Sequence, residues 1–334
     1  MEARADASSF FQTWRWVGCL GAERYAGGRV LRAVADGRAV ALALLGTRRG
    51  FHLNETGDPA LDCVFVEHNG VLLDRDAPPG LLARCLAAAA GRGLTLSGVD
   101  GSHLAAAAGL RGRAVLLDAT RPSPLVDLTS LRQGGTGFLD SLSGNARQQL
   151  RRATRAAARS GPLALARAAD AGEAHDWLDR LAALHQATWQ ARGRPGAFAA
   201  PHFGRFHHAL IDRAHKRREV DLLRATAGTR VLGYLYNFRH RGRVSTYQSG
   251  FDYAGAAPHE KPGLICHHLA IEAALADGAD SYDFLAGDAR YKTSLANAGA
   301  TLHWCRVVRV GSIAWMLGRL RGLGNGRGLQ TADE

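Results

Sequence analysis

The chain has 334 residues, 46% of them hydrophobic, and a formal net charge of +12. That length and apolar fraction are enough for one large domain or two modest ones with real cores. The five cysteines, at 19, 63, 85, 266 and 305, are odd in number and form no C-x-x-C, which argues against a disulfide framework and a structural zinc site.

A balance this basic implies an anionic partner: a phosphorylated cofactor, nucleic acid, an acidic polysaccharide or a phospholipid headgroup. Arg greatly outnumbers Lys, and Ala, Gly and Leu are abundant, so the charge alone is not a specific signal. The start, Met1-Glu-Ala-Arg-Ala-Asp6, has no basic region followed by an apolar core. No apolar run approaches a membrane span. The expected compartment is a reducing cytoplasm.

In chain order, Phe10–Leu20 reads as an aromatic-rich helix. Val30–Val34 and Ala39–Leu45 read as strands joined at Asp36-Gly37, and Cys63–Val66 and Val71–Asp74 as a hairpin around Asn69-Gly70. Pro78-Pro-Gly80 opens a helix to Ala90. A strand at Leu94–Val99, a short helix at His103–Leu110 and a strand at Ala114–Asp118 follow, and Arg121-Pro-Ser-Pro124 reads as a linker.

After Ser143-Gly-Asn145 comes a basic helix to Ser160, then a long helix from about Ala171 to Arg192 and a third over Phe203–His215. Val220–Thr226, Val231–Phe238 and Val244–Phe251 read as a strand meander. Then come a helix from Leu264 closed near Gly278, a strand at Ser281–Leu285, a helix from Tyr291 and a strand at Leu302–Val310. Ser312–Leu323, with Arg319 and Arg321, reads as a packed terminal helix, with contact to a membrane surface as the alternative.

Pro79-Gly-Leu-Leu-Ala-Arg-Cys-Leu86 echoes Pro262-Gly-Leu-Ile-Cys-His-His-Leu269. Each copy opens a helix that leads to a strand, a short helix and another strand, the mark of a duplicated α/β unit. The expected fold is α/β, with two mixed-sheet halves in tandem at 1–124 and 125–334.

Three constellations carry chemistry. At Lys261-Pro-Gly263 the first amides of a helix have no partner in the helix, so a diphosphate can accept them; an ordinary Pro-Gly helix start is the plainer reading. Asp288, Tyr291 and Lys292 put an acid, a phenol and an ammonium at one helix start, where they can serve a developing oxyanion or a leaving thiolate; Asp288 as a simple cap is equally compatible. Arg147, Arg151, Arg155 and Arg159 recur every fourth residue and form one positive stripe, either an anion site or a solvated face. Adjacent histidines on a helix, at His207-His208 and His267-His268, diverge by about 100° and do not chelate one metal readily. One of His267 and His268 could face a cleft; packing is the plainer fate.

The segment from about Leu139 to Arg309 resembles the GNAT acyltransferase superfamily. More narrowly it is similar to the BioF2-like branch with the CelD-type acetyltransferases of cellulose biosynthesis, related in turn to the FemAB-like peptidyltransferases. Leu142-Ser-Gly-Asn-Ala-Arg147, the Trp189 region, Gly233-Tyr234, Tyr247, Lys261-Pro-Gly263 and Tyr282-Asp-Phe-Leu-Ala-Gly-Asp288 with Tyr291-Lys292 carry the resemblance. It implies an acetyl-coenzyme A or other acyl-coenzyme A donor and no metal. The donor's diphosphate would lie at Lys261, Gly263, Leu264 and Ile265, and its pantetheine beside the strands Val244–Phe251 and Ser281–Leu285. Tyr291 would protonate the thiolate, Asp288 act as base or orienter, and Lys292 stabilise charge. Arg147, Trp189 and Tyr247 would meet the acceptor, a small molecule or saccharide of exopolysaccharide or envelope metabolism. His259-Glu-Lys-Pro-Gly263 keeps only part of the usual donor loop, which leaves an aminoacyl-tRNA donor open. A non-catalytic scaffold is the rival from another class, and a general nucleic-acid binder ranks last.

Overall fold

The computed structural model describes residues 1–5, 7–23 and 27–324, with only the backbone of 321–324. The chain forms two compact units: Met1–Pro122 with the described residues from Ala300 on, and Ser123–Gly299. The expected boundary at 124/125 lies beside the first crossing. A second crossing, after Gly299, returns the chain to the first unit, where its next strand finds its partner.

The first unit opens with α1 (Trp14–Glu23), where Trp16, Phe10 and Phe11 form a buried aromatic cluster. β1 (Arg29–Ala35) and β2 (Arg38–Gly46) pair antiparallel around the Asp36-Gly37 turn, as the sequence predicts. β3 (Phe51–Leu53) and β4 (Leu72–Leu73) both pair with β2. The hairpin expected around Asn69 is not formed. The Asn69 side chain donates to the Leu53 carbonyl (2.9 Å) and accepts from the Asn54 amide (2.7 Å), so it ties the loop down where a turn was read.

α2 (Leu81–Ala89), β5 (Leu94–Val99), α3 (Gly101–Ala108) and β6 (Arg113–Asp127) follow. β6 runs through Arg121-Pro-Ser-Pro124, which is therefore strand and not linker. Proline's fixed φ is compatible with extended chain when its missing N–H is not needed by a neighbour.

The second unit contains α4 (Leu128–Gln133), α5 (Phe138–Ser141), α6 (Gly144–Ala157) and β7 (Leu163–Arg167). Then come α7 (Ala171–Ala191), α8 (Pro201–Ala214), β8 (Val220–Ala227), β9 (Arg230–His240) and β10 (Arg243–Phe251). α9 (Pro262–Ala276), β11 (Ser281–Asp283) and α10 (Arg290–Leu295) complete it. Its strand order is β11-β10-β9-β8-β7, antiparallel except for the parallel pair β10–β11, and Leu125–Asp127 of β6 pairs with the outer side of β11. α6 and α9 bury Leu150, Ala153, Ile265 and Ile271 with Leu223, Leu235 and Tyr282 of the strands. α7 and α8 cover the opposite face, where Trp177, Phe203 and His207 meet Tyr234, Tyr236 and Tyr247.

β12 (Ala298–Arg309) then pairs with β5 of the first unit, His303 opposite Val99. The order α2-β5-α3-β6 thus recurs as α9-β11-α10-β12, the repeat that the sequence echo implies. α11 (Ile313–Gly324) departs from the packed helix expected: Ile313, Met316, Leu317 and Leu320 are exposed, and Gly318 meets Leu116. Arg319 lies over the Trp315 ring at 5.2 Å, and the side chain of Arg321 is outside the described residues. No helix among the described residues is long and apolar enough to cross a membrane.

Gly250 marks the closest approach of α7 to β10: a Cβ there would stand 2.3 Å from the Leu181 carbonyl oxygen. Gly250→Ala must push helix backbone off the sheet. It should lower stability by about 1–3 kcal/mol, read as a lower urea midpoint; an unchanged midpoint would show that the helix yields freely.

Candidate functional site

The parallel ladder between β10 and β11 ends at Ser245 and Asp283, while β10 runs on to Phe251. Beyond that point the strands part. A bulge at Tyr247 breaks the β9–β10 register over the same stretch, so β10 bends where it loses its partner.

Asp283 makes the strand end. Its carboxylate is fully buried, accepts from the Leu285 N–H (2.7 Å) and the Ser123 hydroxyl (3.2 Å), and faces Arg243 (3.4 Å). Leu285 sits at φ +60°, a left-handed conformation costly for leucine, and the short bond from Asp283 holds it there. The chain then turns through Ala286 and Gly287 into α10.

α10 brings Tyr291 and Lys292 to the parted strands. The Tyr291 ring stacks on His267 of α9, 5.2 Å between centroids and 16° between planes. The Lys292 ammonium donates to the Ala286 carbonyl (2.6 Å), which ties the helix to the turn before it. Asp288 is exposed; the helix N-cap is Ala289, without a side-chain cap, so Asp288 does not take the capping role.

His267 is the polar centre of this end. Its Nδ1 lies 3.1 Å from the Tyr282 hydroxyl, Phe251 and Phe284 meet its ring edge-on, and its Nε2 is buried with no partner among the described residues. Burial, with a smaller contribution from the Lys292 charge, pushes its pKa down to about 3. It is therefore a neutral imidazole at any physiological pH. Burial likewise raises the Tyr282 phenol, against which the nearby Thr246 and Asn237 side chains act.

The start of α9 faces the same gap. Its N-cap, Lys261, is exposed and has no side-chain acceptor for the helix. The N–H of Ile265 bonds to the Lys261 carbonyl, but those of Gly263 and Leu264 have no partner among the described residues. This first turn is not open to solvent as the sequence reading supposed. Pro262 through His267 are buried, and a Cβ on Gly263 would stand 3.0 Å from the Tyr253 hydroxyl and 3.1 Å from the Phe251 ring. The loop before it is pinned: Glu260 pairs with Arg230 and accepts from the Ala257 N–H (3.1 Å), and Arg152 of α6 meets His259 at 3.0 Å.

Lys261, Gly263, Leu264 and Ile265 thus stand at the same end of the β10–β11 pair as Tyr291 and Lys292, joined through Phe251 and His267. The three acceptor candidates have contacts of their own. Tyr247 is buried in the aromatic cluster of the α8 face, against Phe203 and Phe238. Trp189 ends α7 beside His185, with Arg192 and Arg194 over its ring. Arg147 is held in the turn between α5 and α6, donating to the Leu142 carbonyl at 3.1 Å and lying 3.7 Å from Asp140. Arg151 and Arg155 on α6, and Arg159 in the short turn that follows it, are exposed.

Sequence reasoning passed over Asp283, Tyr253 and Glu260. Asp283 was in plain view between two aromatics, but only burial shows that it shapes the site. The paired histidines separate as helical geometry requires: His267 enters the core, while His268 stacks on Phe138 at 5.9 Å.

A family model described as an acetyltransferase (GNAT) domain matches residues 144–293, which contain Lys261, Gly263, His267, Asp283, Tyr291 and Lys292. No curated protein matches the chain. Among solved structures the chain is similar to FemX, at 10% identity, covering 94% of this chain and 95% of that one, with a TM-score of 0.62. It is similar also to the C-terminal domain (DUF2156) of a putative lysylphosphatidylglycerol synthetase from Agrobacterium fabrum, at 13% identity, 90% and 91% coverage and a TM-score of 0.55. L-PGS from Bacillus licheniformis follows at 11% identity, 93% and 96% coverage and a TM-score of 0.55. Identities this low establish a shared fold over nearly the whole length of each chain.

Two measurements test this geometry. Asp283→Ala strands Arg243 and the Leu285 N–H and should cost about 3 kcal/mol or more, whereas Asp288→Ala should leave the urea midpoint unchanged; equal effects would refute the assignment of the strand end to Asp283. Folding also keeps His267 neutral. Below about pH 6.5 the unfolded chain protonates this histidine and the folded one does not until about pH 3, so stability from this group is complete above 6.5 and falls as pH drops, by at most ~1.4 kcal/mol per unit. His267→Phe should show a shallower loss of stability between pH 6.5 and 4 than the parent; parallel curves would rule out a buried neutral imidazole.

Proposed function

We propose that the chain is an acyltransferase that moves an acyl group from acyl-coenzyme A directly to an amine or hydroxyl acceptor in a ternary complex. The observation that carries this reading is the pair of buried, unpartnered amides at Gly263 and Leu264, at the positive end of a 15-residue helix and beside the parted strands. An anion such as a diphosphate would satisfy both, and Gly263 has no Cβ to hold it away. Lys261 would add charge at the rim.

In this reading the acceptor attacks the thioester carbonyl and the carbon–sulfur bond breaks. The departing thiolate takes the phenolic proton of Tyr291, and the acceptor's proton leaves to Asp288 or to water. Lys292, tethered to the Ala286 carbonyl, places a positive charge near the developing negative one. His267, neutral and stacked under Tyr291, orients the ring without competing for its proton. The matched acetyltransferase domain supports the acyl donor, and the motif resemblance supports assignment to the BioF2-like branch with a saccharide or envelope acceptor.

A diphosphate at Gly263 requires the Tyr253 ring, which is 49% exposed, to rotate outward. Tyr253→Ala should therefore bind acetyl-coenzyme A at least as tightly as the parent, and Tyr291→Phe should lower turnover roughly 10²-fold with little change in donor affinity. Loss of donor binding in Tyr291→Phe with turnover intact would contradict the acid role.

One observation favours a second donor. Arg151 and Arg155 of α6, with Arg159 in the turn after it, are exposed positive charges at four-residue steps, and Arg152 of α6 touches the loop that leads to the α9 start. Such a line suits the backbone of an aminoacyl-tRNA. Thermal unfolding with acetyl-coenzyme A, and separately with charged tRNA, decides between the two: the true donor raises the midpoint. No shift with any donor, and no transfer to any acceptor, would leave a non-catalytic scaffold.

A further inference from the structure

We propose that the first unit carries an anion-binding site of its own, built for a phosphate-bearing ligand. A cavity of about 230 Å³ in the second unit has Glu219 and Asp277 among its lining residues, but a larger one, about 500 Å³, lies in the first unit at the β2–β3 turn and contains no carboxylate in its lining. Three guanidinium groups surround it, each from a separate element: Arg29 at the start of β1, Arg49 in the turn, and Arg92 just after α2. Thr47 adds a hydroxyl and Phe51 a half-buried aromatic wall.

None of these three guanidinium groups has a hydrogen bond or an ion pair among the described residues. Their neighbour shows what the ordinary arrangement would be: Arg48, one position earlier, is paired with Asp58. The turn divides the two arginines, so Asp58 serves Arg48 and leaves Arg49 to the cavity. Like charges gathered without a counter-charge repel one another, and a protein that keeps them so gains only when an anion completes the set.

The backbone fixes the arrangement. Arg49 has φ +53° and Gly50 φ +134°, so the turn is tight and its direction is set. The Phe51 N–H bonds to the Gly93 carbonyl at 2.9 Å, which holds the turn against the segment bearing Arg92. A Cβ on Gly50 would stand at ordinary contact distance, 3.4 Å, from the carbonyl oxygens of Arg92 and Gly93, so it is the positive φ rather than crowding that favours glycine where the two segments meet. The result is a small-molecule-sized recess with three planar, fully charged forks at its rim, the geometry that recognises phosphate oxygens in pairs.

Two or more phosphate charges match three guanidiniums, either on a soluble diphosphate ester or on an anionic phospholipid headgroup. The probes are pyrophosphate, followed by calorimetry, and vesicles of phosphatidylglycerol in phosphatidylcholine, followed by co-sedimentation with pure phosphatidylcholine as blank. The variants are Arg49→Glu with Arg92→Glu, and Arg48→Glu as a control outside the cavity, each checked for an unchanged thermal midpoint; Arg49→Gln with Arg92→Gln replaces the first if it unfolds. Pyrophosphate binding that weakens roughly ten-fold or more in the double variant and persists in Arg48→Glu supports the site with a soluble ligand. Vesicle binding with the same pattern supports it with a headgroup. Absence of both, or binding that the double variant leaves unchanged, overturns it. In the latter case the anion is held elsewhere, including at the α9 start, whose role in donor binding is tested separately by Tyr253→Ala.

Discussion

A single buried carboxylate sets the geometry on which the second unit's chemistry depends. Asp283 ends β11 by holding Leu285 in a left-handed conformation while Arg243 balances its charge. Because β11 stops there and β10 does not, the two parallel strands part. The gap gives α9 and α10 somewhere to point. A longer β11 would continue the ladder past Ser245, and the rings of His267 and Tyr291 would have no space between the strands.

What fills the gap is a polar core inside an aromatic one. The His267–Tyr282 hydrogen bond links helix to sheet, with the side chains of Thr246 and Asn237 nearby and the rings of Phe251, Phe284 and Tyr291 around it. In such surroundings a charge is costly, so the imidazole stays neutral and the phenol of Tyr282 stays protonated. The order this imposes has a chemical use: Tyr291 lies flat on a ring whose orientation the Tyr282 hydroxyl helps to fix. The open amides of α9 sit one turn away along the same helix. Position and electrostatics therefore converge on one end of one strand pair.

The two units use arginine in opposite ways. In the second, Arg167 and Arg239 sandwich the buried Asp221 and share Asp277, so cations compensate anions within the fold. Burial raises the Asp221 carboxyl, and the two guanidiniums oppose that rise. In the first unit the guanidinium groups of Arg29, Arg49 and Arg92 have no such partners among the described residues. A net charge of +12 conceals this difference, because a sum over residues carries no information about which charges are already neutralised.

Much of the architecture was legible in the chain. Apolar alternation with turn residues located β1, β2 and the meander β8–β10, and the two Pro-Gly helix starts revealed the repeated element order. These signals are local: each depends on residues a few positions apart. The failures were of another kind. Asn69-Gly70 has turn composition, yet its side chain spends its hydrogen bonds on Leu53 and Asn54, and Arg121-Pro-Ser-Pro124 has linker composition, yet it lies in a strand. The sequence by itself determined which residues could do chemistry at the α9 and α10 starts, since amide exposure, phenol and ammonium follow from residue type and helix position. Only the tertiary structure decided that Tyr253 covers one of those starts, that Tyr247 belongs to the other sheet face and that Asp283, not Asp288, governs the turn. Burial and strand register arise between residues distant in the chain, and no short window of sequence contains them.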